Sequence, residues 1–276
     1  MSEVVVPAAW VADRRDEVVV VDVRDAWEFD GIGHVPDAVN VPFDSFRAGE
    51  HAADGEGGDS DDGDTGMLPG GEAFADLMGA AGISREDSIV AYDDHHGVFA
   101  ARLLVTAELY GHDPAKLHLL DGDFSAWQRE RETTSEAADV DPTTYEVADP
   151  AETETPLVDA DAVAAAADDP EAVLVDTRED WEYEEGHIPG AVRLDWRELV
   201  DDETRGLKPR DEMDAILESR GVTPEKRIVL YCNTARRISH TYTVLRHLAY
   251  PNLQFYEGSL TEWEREGRPL ETGEAE

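Results

Sequence analysis

"VVVVDVRDAWEFD" (residues 18–30) returns as "AVLVDTREDWEYE" (172–184), and the rest of the chain is read outward from this echo. A few positions on, "GHVPDAV" (33–39) is answered by "GHIPGAV" (186–192), displaced by one residue. "GISREDSIVAYDD" (82–94) then matches "GVTPEKRIVLYCN" (221–233), and "LLDGDFSAW" (119–127) matches "FYEGSLTEW" (255–263). The blocks keep the same order in both halves. Their spacing far exceeds the roughly 20–50 residues of solenoid repeats, so the repeating unit is a whole domain.

The organisation expected is a first domain over 1–132, a linker over 133–156 and a second domain over 157–276. The linker "TTSEAADVDPTTYEVADPAETETP" is rich in Thr, Pro, Ala and acids and lacks apolar periodicity. A second irregular stretch, "RAGEHAADGEGGDSDDGDTG" (47–66), is acidic and glycine-rich and reads as a mobile insertion in the first domain. Its acids do not fall into the spacing of a calcium loop with a closing Glu.

Within each unit, short β-branched runs ("VVVV", "SIVAY", "AVLV", "RIVLY") alternate with helical patterns. Met213, Ile216 and Leu217 mark one helix, and Ile238, Tyr242, Leu245 and Ala249 another. Strands that alternate with helices and show little polar alternation imply parallel sheet covered on both faces. The fold class is therefore α/β, a doubly wound parallel sheet occurring twice.

Charge narrows the function. Lys and Arg number 23 against 64 Asp and Glu, a net charge of −41 over 276 residues. Only Lys116, Lys208 and Lys226 are lysines, so nucleic-acid binding is not expected. The hydrophobic fraction of 41% is that of a chain that builds a core. Such a surface repels itself at low salt and is screened in concentrated salt, and the composition resembles that of proteins from salt-loving archaea. No run approaches the ~18 apolar residues of a membrane span, and the start lacks a signal-peptide pattern. A soluble, cytoplasmic protein without membrane contact is expected.

The chain has one cysteine, Cys232, which cannot form an internal disulfide. It follows a buried strand and precedes a helix within about six residues, at the carboxyl edge of the sheet where α/β folds bind ligands. A short loop closing onto a helix N-terminus gathers backbone N–H groups and the positive end of the helix dipole. A thiol with an ordinary pKa of about 8.5 would be drawn towards the thiolate there, the more so beside Arg236 and Arg237. The alternative, an inert core cysteine, fits the polar loop "NTARR" poorly. His240 and His247 lack a zinc-type partner set and read as surface or interface residues; neither metal nor cofactor is expected.

These motifs, in order and duplicated over nearly the whole chain, resemble those of the tandem-domain rhodaneses, the thiosulfate and 3-mercaptopyruvate sulfurtransferases. The resemblance implies a catalytically silent first domain, with Asp93 in "IVAYDDHHG" standing where Cys232 stands in the second. It implies a ping-pong reaction in which Cys232 takes the sulfane sulfur of a small donor such as thiosulfate and passes it to cyanide or a thiol. Arg237, five residues after the cysteine, matches the substrate-binding arginine of relatives with a Cys-x-x-Gly-x-Arg loop. Arg236 and the loop residues Asn233, Thr234 and Ala235 complete the expected donor site. Ala235 replaces the usual glycine, which restricts the backbone. "CNTARR" also departs from the Cys-Gly-Ser-Gly-Val-Thr loop of mercaptopyruvate users, so thiosulfate is preferred. A sulfur-carrier protein or thioredoxin is an alternative partner, and a carrier module in tRNA thiolation or cofactor assembly an alternative function. Phosphatases and arsenate reductases of the Cys-x5-Arg type need one more loop residue than is present.

Paired residues read as structural, because both copies have them although one copy has the thiol. These are Asp22 with Arg24 and Asp176 with Arg178, expected to tie the following loop, and His34, His187, Trp27, Trp181, Trp127 and Trp263, expected in packing and turns.

Overall fold

The computed structural model describes residues 3–48, 67–148 and 155–273. The first half runs β1 (Val5–Val6), α1 (Ala8–Asp13), β2 (Val19–Asp22), α2 (Ala26–Gly31), β3 (Val39–Asn40), α3 (Gly71–Ala80), β4 (Ile89–Tyr92), α4 (Val98–Leu109), β5 (Leu117–Leu120) and α5 (Phe124–Glu130). The second runs α6 (Ala160–Ala167), β6 (Ala172–Asp176), α7 (Asp180–Glu185), β7 (Val192–Arg193), α8 (Arg210–Glu218), β8 (Arg227–Tyr231), α9 (Arg236–His247), β9 (Leu253–Phe255) and α10 (Ser259–Arg265).

Both sheets are parallel, in the orders β1-β5-β4-β2-β3 and β7-β6-β8-β9. A parallel bridge from Leu157 to Phe255 sits beside β9 as β1 sits beside β5, so the duplicated sequence has produced one topology twice. Successive strand residues feed opposite cores. Val21, Ile89, Ala91 and Leu119 enter one and Val20, Val90, Tyr92 and Leu120 the other. Val175, Ile228 and Leu230 are likewise opposed to Leu174, Val229 and Tyr231. Burial on both faces is why these strands read as continuous apolar runs.

α4 packs against α9 across the domain contact, where Val105 and Leu109 join the core of the second domain. A helix buried on nearly every side needs no polar face, and "VFAARLLVTAEL" has little of one.

The loop ties are as expected. Arg24 reaches Asp22 and Gly33 O, Arg178 reaches Asp176 and Gly186 O, and all four side chains are buried. His34 stacks on Phe29 and His187 on Tyr183, each at 3.7 Å between ring centroids. Trp127 and Trp263 are buried. Trp27 and Trp181 are not: they are 65% and 57% exposed. Each indole instead donates to the acid two residues before it, Asp25 or Glu179, closing the helix start rather than filling a core.

Most of the segment read as a linker lies along the first domain. Thr134 pairs with His34 and Thr143 N–H donates to Gly79 O. Tyr145 is buried among that domain's core residues. The acidic insertion falls almost entirely outside the described residues; at its flanks Ala48 N–H donates to Met67 O at 3.0 Å. Of the two helical histidines, His247 Nδ1 accepts from Val5 N–H across the domain contact, whereas His240 is fully enclosed. Ala249 lies beyond the end of α9 with φ 67°. Among the described residues no helix is long and apolar enough to cross a membrane.

Candidate active site

Cys232 directly follows β8 and is 2% exposed. Its backbone is held on both sides by the segment that enters α10. Cys232 N–H donates to Ser259 Oγ at 3.2 Å, and its carbonyl accepts from Leu260 N–H at 2.9 Å. Asn233 is gripped in turn: its carbonyl accepts from Thr261 Oγ1 at 2.8 Å and its amide donates to Glu182 Oε1 at 2.8 Å. Arg178 Nη1 donates to Asn233 Oδ1 at 3.4 Å. Thr234 follows, half-buried.

Ala235 caps α9 in the left-handed region, φ 60° and ψ −5°, fully buried. The glycine-like conformation is therefore kept by an alanine, at a cost of about 1 kcal/mol. The first N–H groups of α9 have no intrahelical acceptor, and they open at the end of the loop that carries the thiol.

The two arginines do different things. Arg237 Nη1 binds Glu182 Oε2 at 2.5 Å, with both side chains largely covered. Glu182 also accepts from Glu179 N–H at 3.1 Å. Burial raises its pKa, but Arg237, the Glu179 N–H and Asn233 outweigh that and hold it below the ordinary value. Arg236 makes no ion pair among the described residues. Its guanidinium lies 5.3 Å from the centre of the Phe99 ring of the first domain, and burial and the charge of Arg237 lower its pKa while Cys232 favours its charged form. It lines a cavity of about 310 Å³ together with Arg24, Arg47 and His95 and the acids Asp25, Glu28, Asp44 and Asp93 of the first domain. On the other flank, Arg178, Trp181, Glu182, Asn233 and Thr261 line a cavity of about 500 Å³.

The first domain shows what such a cradle binds. Asp93 is buried, and its carboxylate accepts four backbone N–H bonds. Oδ1 takes those of His95 and Gly97 at 2.7 and 2.8 Å, Oδ2 those of Phe99 and Ala100 at 2.7 and 3.0 Å. Burial pushes its pKa up and the four donors oppose the shift. The loop is one residue longer than its counterpart, since α4 starts five residues after Asp93 and α9 four after Cys232. Phe124 N–H donates to Asp93 O at 2.8 Å, the equivalent of the Leu260 bond to Cys232.

The expected residues thus converge on one loop, with Arg237 already engaged. Glu182 and Ser259 were not singled out from sequence. Glu182 has a glutamate counterpart, Glu28, whose side chain among the described residues bonds only its own helix start, so the repeat hid its second role. Ser259 carried one signal, the Asp123 that replaces it in the first copy.

The rhodanese-like domain profile matches residues 7–130 and 159–266. A thiosulfate sulfurtransferase of Corynebacterium glutamicum is 31% identical over 294 aligned positions, covering 99% of this chain and 91% of that protein. The sulfur carrier protein TtuD of Thermus thermophilus is 32% identical over 74% of this chain and 77% of its own length. The crystal structure of the 3-mercaptopyruvate sulfotransferase SseA from Escherichia coli superposes with a TM-score of 0.75 at 26% identity, covering 93% of this chain and 98% of that one.

Proposed function

Because the chain belongs to the rhodanese-like family, with two copies of its domain, we propose that it is a thiosulfate sulfurtransferase whose nucleophile is Cys232. The Cys232 thiolate attacks the outer sulfur of thiosulfate; the sulfur–sulfur bond of the donor breaks, its electron pair leaves with sulfite, and a Cys232 persulfide remains. Cyanide then attacks the outer sulfur of the persulfide, leaving as thiocyanate and returning the thiolate. With a thiol acceptor, the same displacement gives a hydropersulfide. Arg236 holds the sulfonate end of the donor, with Arg237 available where Glu182 releases it, and the Asn233–Ala235 backbone and first turn of α9 receive the sulfur anion.

The observation that carries this reading is the exchange of Asp93 for Cys232 at one structural position. The strand-to-helix turn that, one residue longer, gives four N–H bonds to a carboxylate in one copy presents a thiol in the other. A reaction in which that thiol is an anion, and gains an anionic sulfur, suits such a site.

The likeness to TtuD supports a second reading, in which the persulfide goes to a carrier protein; mercaptopyruvate as donor is supported by the likeness to SseA. The acidic composition favours work in a salt-rich cytoplasm. The test is thiocyanate production from thiosulfate and cyanide in molar salt, with mercaptopyruvate in parallel and with Cys232→Ser. Wild type treated with thiosulfate should gain the mass of one sulfur atom and the serine variant none. Full turnover by the serine variant would end the mechanism.

A further inference from the structure

The two domains exchange arginines. Arg102 of α4, fully buried, reaches into the second domain and binds Glu257 with two parallel bonds, Nη1 to Oε2 at 2.8 Å and Nη2 to Oε1 at 2.6 Å. In the other direction Arg205 reaches Asp123, Nε at 2.8 Å to each oxygen and Nη2 at 2.6 Å to Oδ2. By the internal repeat Asp123 is the counterpart of Ser259, and Asp121 of Glu257. Each arginine therefore lands on the same turn of the opposite domain, the one after the last strand.

Only in the second domain does that turn bear on a nucleophile. Glu257 stands two residues before Ser259, which is fully buried in a left-handed conformation, φ 48°. A non-glycine residue costs energy there and stays only where its surroundings impose it. Ser259 Oγ donates to Tyr256 O at 3.0 Å and accepts from Cys232 N–H at 3.2 Å. Tyr256 N–H in turn donates to Leu230 O in β8. The turn and the nucleophile loop are thus one bonded unit; Arg178 and Glu182 hold it at Asn233 from within the second domain, and Arg102 holds it at Glu257 from the first.

We propose that Arg102, in the domain without the thiol, is a positioning residue for Cys232: its two bonds to Glu257 hold the 256–259 turn in the conformation that sets Ser259 Oγ on the Cys232 N–H. The first domain then takes part in sulfur transfer without touching the sulfur. The inference rests on Cys232 as the nucleophile and adds a residue that acts on it from outside its own domain.

The test compares Glu257→Gln, which keeps shape and removes the charge, with Arg205→Gln, which loosens the same domain contact at the turn that carries no nucleophile. Two readouts are taken on full-length, folded protein in molar salt: kcat and KM for thiosulfate, and the pH profile of alkylation of Cys232, the sole cysteine, by iodoacetamide. Glu257→Gln should lower kcat about tenfold, the scale of a small displacement of a reacting group, leave KM within about twofold, and shift the alkylation midpoint to higher pH. Ser259→Ala should give the same shift, and the double variant should be no worse than either single one, as for two residues on one chain of contacts. Arg102→Lys should fall between wild type and Arg102→Met. Arg205→Gln should keep the wild-type profile. A wild-type kcat and alkylation profile in Glu257→Gln overturns the proposal, as does an equal loss in Arg205→Gln. Should wild type take up no sulfur at all, the proposed reaction fails, while the alkylation profiles still decide whether Arg102 positions the thiol.

Discussion

Replacing His240 by leucine should flatten the acid limb of the stability curve. His240 is fully enclosed on α9, its ring 5.0 Å from that of Trp196, and neither ring nitrogen has a well-formed hydrogen bond among the described residues. Burial, aided by the charge of His96, pushes its pKa down from 6.5 to about 3; the His96 backbone opposes the shift but is outweighed. Because the folded value is depressed, the unfolded chain takes up the proton first. The stability that neutral His240 contributes is complete above pH 6.5 and is lost as pH falls towards 3. At pH 5.0 the unfolded imidazole is about 1.5 units below its own pKa, which at 1.36 kcal/mol per unit amounts to roughly 2 kcal/mol. Leucine, similar in volume and apolar, should cost no more than about 1 kcal/mol in that enclosed site at pH 7.5. Urea unfolding at pH 7.5 and 5.0, in the same molar salt, measures the difference. The carboxylates titrate in both proteins and cancel in the comparison. Wild type should lose about 2 kcal/mol more than His240→Leu between the two pH values. Parallel losses would show that His240 is charged in the folded protein, and the reasoning would fall.

Asp93→Ala should lower stability by about 3 kcal/mol, because four backbone donors lose their acceptor, yet leave the rate of persulfide formation per folded molecule unchanged; urea unfolding measures the first and stopped thiosulfate reactions read by mass the second. Arg236→Ala should raise the KM for thiosulfate about tenfold, the worth of one charge-assisted contact. Arg237→Ala should raise it less, since Glu182 already holds that guanidinium; the reverse ranking in steady-state kinetics would reassign the donor site. Ala235→Gly should shift the urea midpoint upward by the equivalent of about 1 kcal/mol, because the left-handed conformation then costs nothing.

The fold was legible because its causes are local and repeated. β-branched runs made β2, β4, β6 and β8, and the echo between residues 18–30 and 172–184 revealed two domains before any topology was known. The candidate nucleophile loop was legible for the same reason: Asp93 and Cys232 stand at one place in two copies. What stayed hidden lies far apart in sequence. Glu182 meets Arg237 across 55 positions and Arg102 meets Glu257 across 155, and no local pattern encodes such a pairing. Comparing copies also misled where both copies agree. Trp27 and Trp181 recur and are expected in packing and turns, and the turn role is the one they fill: what recurs is the shared helix start, which leaves their rings in solvent. The two arginines after Cys232 looked alike in sequence, and only the position of Glu182 separates the occupied one from the open one.

The longer loop around Asp93 bears on how the two copies came to differ. Its amides close in pairs on two oxygens, His95 and Gly97 on one and Phe99 and Ala100 on the other, an arrangement fitted to a carboxylate and not to a single sulfur. A cysteine at position 93 would place a thiol in a mould cast for another group, on a turn one residue longer than that of Cys232. A single substitution at position 93 therefore does not copy the second half's loop; the chain would also have to lose a residue between strand and helix. The two halves share a topology but are no longer interchangeable at this turn.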